Sequence, residues 1–238
     1  MSKLIFSVAL FSAIMVNSCT VCCIQPTVRG CGNLVTETRH PGSFGSVSLS
    51  IPAEVYISKG EEYSVVIEGE ENIIPLLLTE VKNGKLSITS RGNIMPGKDI
   101  RIHIRAADID GLRTMGSGSI TLLDKFSAGS LTLEVMGSGN ISAETSARRI
   151  TSEIRGSGDI HLSGVCREHN ISIMGSGDLR SASLESGICK VSVMGSGNTY
   201  VWVNSLLDVS IMGSGNVYYK GSPDVETRKM GSGRVMKL

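Results

Sequence analysis

Two aspartates are the residues best placed to do chemistry. Asp159 and Asp178 each follow a Gly-Ser-Gly tripeptide and lie nineteen residues apart. If the chain repeats in space as it does in sequence, their carboxylates stack about 5 Å apart, near the spacing of a retaining glycosidase pair. Arg155 and His161 belong to the same neighbourhood, so this is the sharpest catalytic expectation in the chain. The structural reading is simpler. Asn fills the same position at Asn140, Asn198 and Asn216, so Asp serves as one more short polar turn residue. Arg155 then offsets two stacked negative charges. The structural reading is preferred, and no catalytic residue is assigned.

Other chemistries fail on pattern. The serines of Gly-Ser-Gly have no paired histidine, and no Lys-Ser/Thr follows as in a phosphate loop. The calcium-binding nonapeptide roll needs a nine-residue period and an Asp in each copy, whereas Asp occurs here in two copies of seven. Cys19-x-x-Cys22 and Cys166-x-x-His169 are half-sites that no second pair answers, so no metal and no cofactor are expected. Cys166 and Cys189 read as small buried thiols.

The first residues read as an export signal, residues 1–18. Lys3 gives a positive start, and Leu4 to Val16 is an apolar run too short to span a bilayer. Val16-Asn17-Ser18-Cys19 then resembles a bacterial lipobox, so Cys19 is the expected lipidation site and the lipid the expected membrane contact. Residues 19–30, with Cys22 and Cys23, are expected to form a flexible tether before one domain spanning 31–238. Lys plus Arg number 23 against 22 acidic residues, so no basic field exists to hold nucleic acid.

What must position these residues is a repeat. Gly-Ser-Gly recurs seven times, placing glycine pairs at Gly116 and Gly118, Gly137 and Gly139, Gly156 and Gly158, Gly175 and Gly177, Gly195 and Gly197, Gly213 and Gly215, and Gly231 and Gly233. The period is about nineteen residues, ranging from 18 to 21. Before each turn the residues alternate, as in Leu131-Thr-Leu133-Glu-Val135 and Val191-Ser-Val193. A period of two means strand, with one face buried. The expectation is an all-β, parallel β-helix-like solenoid in which equivalent positions of successive coils form ladders. Glycine is expected where a corner takes positive φ and where stacked corners leave no room for a Cβ.

Methionine precedes six of the seven turns: Met115, Met136, Met174, Met194, Met212 and Met230. Strict alternation puts them outside, as an apolar stripe that could bind a partner. A bend at the glycine corner would instead turn them into the core, and this second reading is preferred. Residues 31–114 carry no Gly-Ser-Gly but alternate repeatedly, as in Ile100-x-Ile102-x-Ile104, and Asn83-Gly84 predicts a tight hairpin. They are expected to form irregular first coils or a cap. A helical turn or two is expected within Asn72–Leu78, broken at Pro75.

Taken together, Phe44-Gly-Ser-Val-Ser-Leu-Ser50, Ala53-Glu-Val-Tyr-Ile-Ser-Lys-Gly60, Tyr63-Ser-Val-Val-Ile-Glu68, Glu71-Asn-Ile-Ile-Pro75, Val81-Lys-Asn-Gly-Lys-Leu86 and the Gly-Ser-Gly repeats resemble a known family. It is that of the putative auto-transporter adhesins with a head GIN domain, common as envelope lipoproteins in Bacteroides-like bacteria. The resemblance spans roughly residues 31–220 and implies a β-helix-like solenoid; it brings no catalytic or binding residue with it. The functional expectation is a non-enzymatic, outer-membrane lipoprotein that presents side-chain ladders to a glycan or protein ligand. The alternatives are a carbohydrate-active β-helix enzyme and an envelope scaffold that polymerises end to end. Arg234 and Lys237 in the last coil argue against the scaffold.

Overall fold

The computed structural model describes residues 27–238, so the expected export signal, Cys19, Cys22 and Cys23 lie outside the described residues. The alternating segments form strands, and the single 3-10 turn among the described residues, Ile74–Leu76, contains Pro75. The strand Ile141–Gly156 shows how one coil is built. Ile141, Ala143 and Thr145 are buried on alternate positions, Ser146 to Arg149 are not, and burial resumes at Ile150, Ser152 and Ile154. Each coil is therefore two runs with one corner between them, and Gly-Ser-Gly makes the other corner. Period-two patterning on both runs turns one side chain in two toward the interior.

The strands Phe126–Gly137, Ile141–Gly156, Ile160–Gly175, Leu179–Gly195 and Thr199–Gly213 pair in parallel, each with the next. The pairing sets Gly137, Gly156, Gly175, Gly195 and Gly213 in one file. Inside, Ile154, Ile173, Val193 and Ile211 form a buried ladder, as do Ile141, Ile160 and Leu179 on the other run. Burying each such side chain contributes about 1.5–3 kcal/mol, so stacking rather than turn chemistry holds the coils together. One core cluster runs from Phe44 to Val217.

The first coils stack out of sequence order. Ser46–Leu49 lies between Lys85–Ser90 on one side and Gly111–Gly116 on the other, parallel to both. On the second run, Ala53–Lys59 lies between Ile100–Ala106 and Ser119–Leu122 in the same way. The coil made first in the chain is thus sandwiched between two made later. Leu77–Lys82 closes one edge as an antiparallel hairpin with Lys85–Ser90, and both turn residues take positive φ, Asn83 at 52° and Gly84 at 73°. This is the Asn-Gly hairpin that the sequence predicts. Leu34–Arg39 and Ser64–Glu70 extend the other run as antiparallel strands.

Within the stretch expected as a tether, Val28–Arg29 pairs in parallel with Ile94–Met95. Glu70 makes the fastening. Its buried carboxylate accepts the backbone N–H groups of Gly32 at 2.5 Å, Gly97 at 2.7 Å and Lys98 at 3.2 Å. Burial alone would raise the pKa of this carboxyl, but those N–H groups and the Lys98 charge hold it below the ordinary carboxylate range.

Candidate functional site

The two glycines of each turn do different work. Gly175 takes φ +138°, a conformation an L side chain rarely adopts, and so reverses the chain. Gly177 has no such φ; a Cβ there would lie 2.1 Å from the Gly158 carbonyl oxygen of the preceding coil. The first glycine is needed for backbone conformation and the second for close approach. Backbone bonds explain that approach: Ser176 N–H and Gly177 N–H both donate to the Gly156 carbonyl, at 2.9 and 3.1 Å.

The position after the turn forms a ladder of its own. Asn140 Oδ1 accepts from Asp159 N–H at 3.0 Å, Asp159 Oδ1 from Asp178 N–H at 2.8 Å, and Asp178 Oδ1 from Asn198 N–H at 2.8 Å. Asn and Asp are interchangeable in this duty, since each offers one oxygen to the next coil's amide. Asp159 and Asp178 do stand in adjacent coils as their spacing predicts, but both carboxylates serve the backbone. The cation beside them is Arg180, 3.6 Å from Asp159 and 3.1 Å from Asp178. Arg155 instead pairs with Glu153 at 2.6 Å, because it stands before the glycine corner and the aspartates stand after it. His161 meets the same Arg180 at 3.2 Å.

His169 and the cysteines lie inside. His169 is fully buried with its Nε2 2.9 Å from the Ser152 hydroxyl, and desolvation pushes its pKa down to about 3. It is neutral at any ordinary pH. Cys166 and Cys189 are free and buried; desolvation pushes Cys166 up to about 12 and Cys189 higher still. Neither supplies a thiolate nucleophile. Among the described residues no group of His, Cys, Asp and Glu could hold a metal ion.

None of the six methionines is buried, which overturns the preferred expectation that they turn into the core: Met115, Met194, Met212 and Met230 are exposed and Met136 and Met174 half-buried. Alternation holds up to the turn, and the reversal comes one residue later, at the positive-φ glycine. Met194 is 48% exposed, Met212 52% and Met230 69%. Two positions earlier in each coil, Ser172, Ser192 and Ser210 share that outer face; two earlier again stand Asn170, Lys190 and Asp208. The short serines between longer neighbours leave a shallow groove of about 380 Å³ that runs across the coils.

Sequence reasoning missed a feature on the outer face of the other run. Tyr200 stacks on Tyr218 of the next coil with centroids 4.7 Å apart and planes 8° apart, and Lys220 Nζ sits 4.0 Å above Trp202. The signal was available: aromatics make up 4% of the chain, yet Tyr-x-Trp and Tyr-x-Lys recur eighteen residues apart. Stacked ring on ring and cation on ring, these side chains brace the last coils.

The architecture defines a class, a parallel β-solenoid whose outer faces are ladders of repeated side chains. The chain belongs to the family described as putative auto-transporter adhesin, head GIN domain, which matches residues 43–223. Solved structures share the fold. A putative adhesin from Bacteroides fragilis aligns at TM-score 0.83 with 20% identity, covering 89% of this chain and all (100%) of that one. A putative lipid binding protein from Parabacteroides distasonis aligns at 0.75 with 21% identity, covering 90% and 100%. A putative adhesin from the same species aligns at 0.73 with 22% identity, also covering 90% and 100%. Among curated proteins, none matches the chain.

Proposed function

We propose that the protein is a non-enzymatic, adhesin-like binding protein of the cell envelope, exported by residues 1–18 and held to the outer membrane by lipid on Cys19. The observation that carries the binding role is the outward methionine ladder beside the serine groove. Exposing apolar side chains in register is unfavourable unless a partner covers them. The family supports the adhesin-like reading. A carbohydrate-active enzyme is the weaker alternative, because the two aspartates that would have to act are engaged by turn amides and by Arg180.

Beads coated with the protein test the binding role through their adhesion to surfaces carrying immobilised glycans or envelope proteins. The expected result is that Met194→Asp together with Met212→Asp loses most adhesion while the circular-dichroism spectrum is unchanged. Equal adhesion by both proteins overturns the reading. The anchor has its own test: labelled fatty acid enters the wild-type protein and not Cys19→Ala, and equal labelling removes lipid from the account.

A further inference from the structure

The chemistry of the groove narrows what it can hold. Its floor is Ser172, Ser192 and Ser210, hydroxyls that repeat once per coil, about every 4.8 Å. Asn170, Lys190 and Asp208 line one bank. On the other side the groove opens toward the methionine file, Met174, Met194 and Met212. That file stands two residues beyond the serines on the same outer face and flanks the groove rather than lining it. Glu153 and Arg228 stand at the ends of the serine file. Charges of both signs alternate along the groove, and Arg228 donates to Asp208 at 2.6 Å. A polyanion or polycation laid along it meets a like charge in any register, which disfavours both.

The complementary ligand is neutral and rich in hydroxyls, with one apolar face, one polar edge and a repeat near the coil spacing. We propose that the groove binds an extended neutral glycan, one sugar residue per coil. The C–H face of each ring lies toward methionine, and its hydroxyls, which both donate and accept, meet serine and the Asn/Lys/Asp bank. From Glu153 to Arg228 the groove crosses four coil steps, about 19 Å at roughly 4.8 Å each, room for about four sugars. This inference rests on the binding role proposed above and adds the ligand class, its direction along the coil stack and its length.

The test is an array of neutral and acidic glycans of one to six residues, followed by calorimetry on those that bind. For a neutral series, affinity is expected to rise about tenfold or more from disaccharide to tetrasaccharide and then level off. Ser192→Arg, which fills the groove at an outward position that arginine already occupies in the last coil, should abolish binding. Acidic glycans of the same length should bind about tenfold more weakly or not at all. Binding that favours acidic glycans, or neutral binding untouched by Ser192→Arg, overturns the inference. If no glycan binds but Ser192→Arg still removes adhesion to envelope protein, the groove is a protein site; the glycan fails and the adhesin-like reading stands. If neither surface is bound, both fall.

Discussion

His169 is a titratable side chain that the core admits only in its neutral form. Above pH 6.5 it is neutral in the folded and the unfolded chain alike, so it adds no pH dependence. As the pH falls below 6.5 the unfolded chain binds a proton that the folded chain refuses until about pH 3. Stability therefore drops on acidification through that window, with a slope approaching about 1.4 kcal/mol per pH unit from this one group. Denaturant midpoints taken from pH 7 to pH 4 should fall more steeply for wild type than for His169→Leu. Leucine already occupies this ladder position at Leu207. The variant loses the Ser152 hydrogen bond and starts lower, but the difference in slope does not depend on that offset. Parallel slopes would mean that His169 is hydrated in the folded protein.

At the scale of one coil, the turn separates two demands on glycine that look alike in sequence. At Gly116 an added Cβ meets nothing within 4 Å, so alanine there bears only the strain of φ +104°. At Gly177 it would meet backbone of the preceding coil at 2.1 Å, and two coils must part. At Gly129 neither condition applies. Alanine at Gly129, Gly116 and Gly177 should therefore destabilise in that order: by close to nothing, by about 1–2 kcal/mol, and by about 3 kcal/mol or more once overpacking is included. Chemical denaturation reads the order, and equal effects at Gly116 and Gly177 would mean that the turns do not stack. The repeat, the strand period, the Asn-Gly hairpin and the neighbouring aspartates were legible because each is a local rule of spacing or turn chemistry. The outward methionines were misjudged because their direction depends on which of two adjacent residues bends. Arg180 was overlooked because only Asp178 is its neighbour along the chain, while Asp159 and His161 reach it from the adjacent coil.

At the scale of the molecule, the two ends of the stack obey different rules. From Phe126 onward each coil touches only the coils made just before and just after it, whereas the coil Ser46–Lys59 needs neighbours on both sides that are synthesised later. No inspection of residues 31–114 would reveal this, since period-two patterning sets which face is buried but not which strand lies alongside. Such non-local pairing also slows folding, because long loops must close before any contact rewards them. The order of stacking bears on how the protein can change length. A second copy of residues 157–175, inserted after Gly175, finds a finished coil below and an identical docking surface above. It should fold with cooperative thermal unfolding and a longer profile in solution scattering. A second copy of residues 46–60, inserted after Gly60, has no vacant slot and should aggregate or lose cooperative unfolding. The same fold is thus a closed lock over its early coils and an extensible rod over its later ones. Gene duplication can lengthen the reach of its outer face, a step at a time, without disturbing the end where the chain begins.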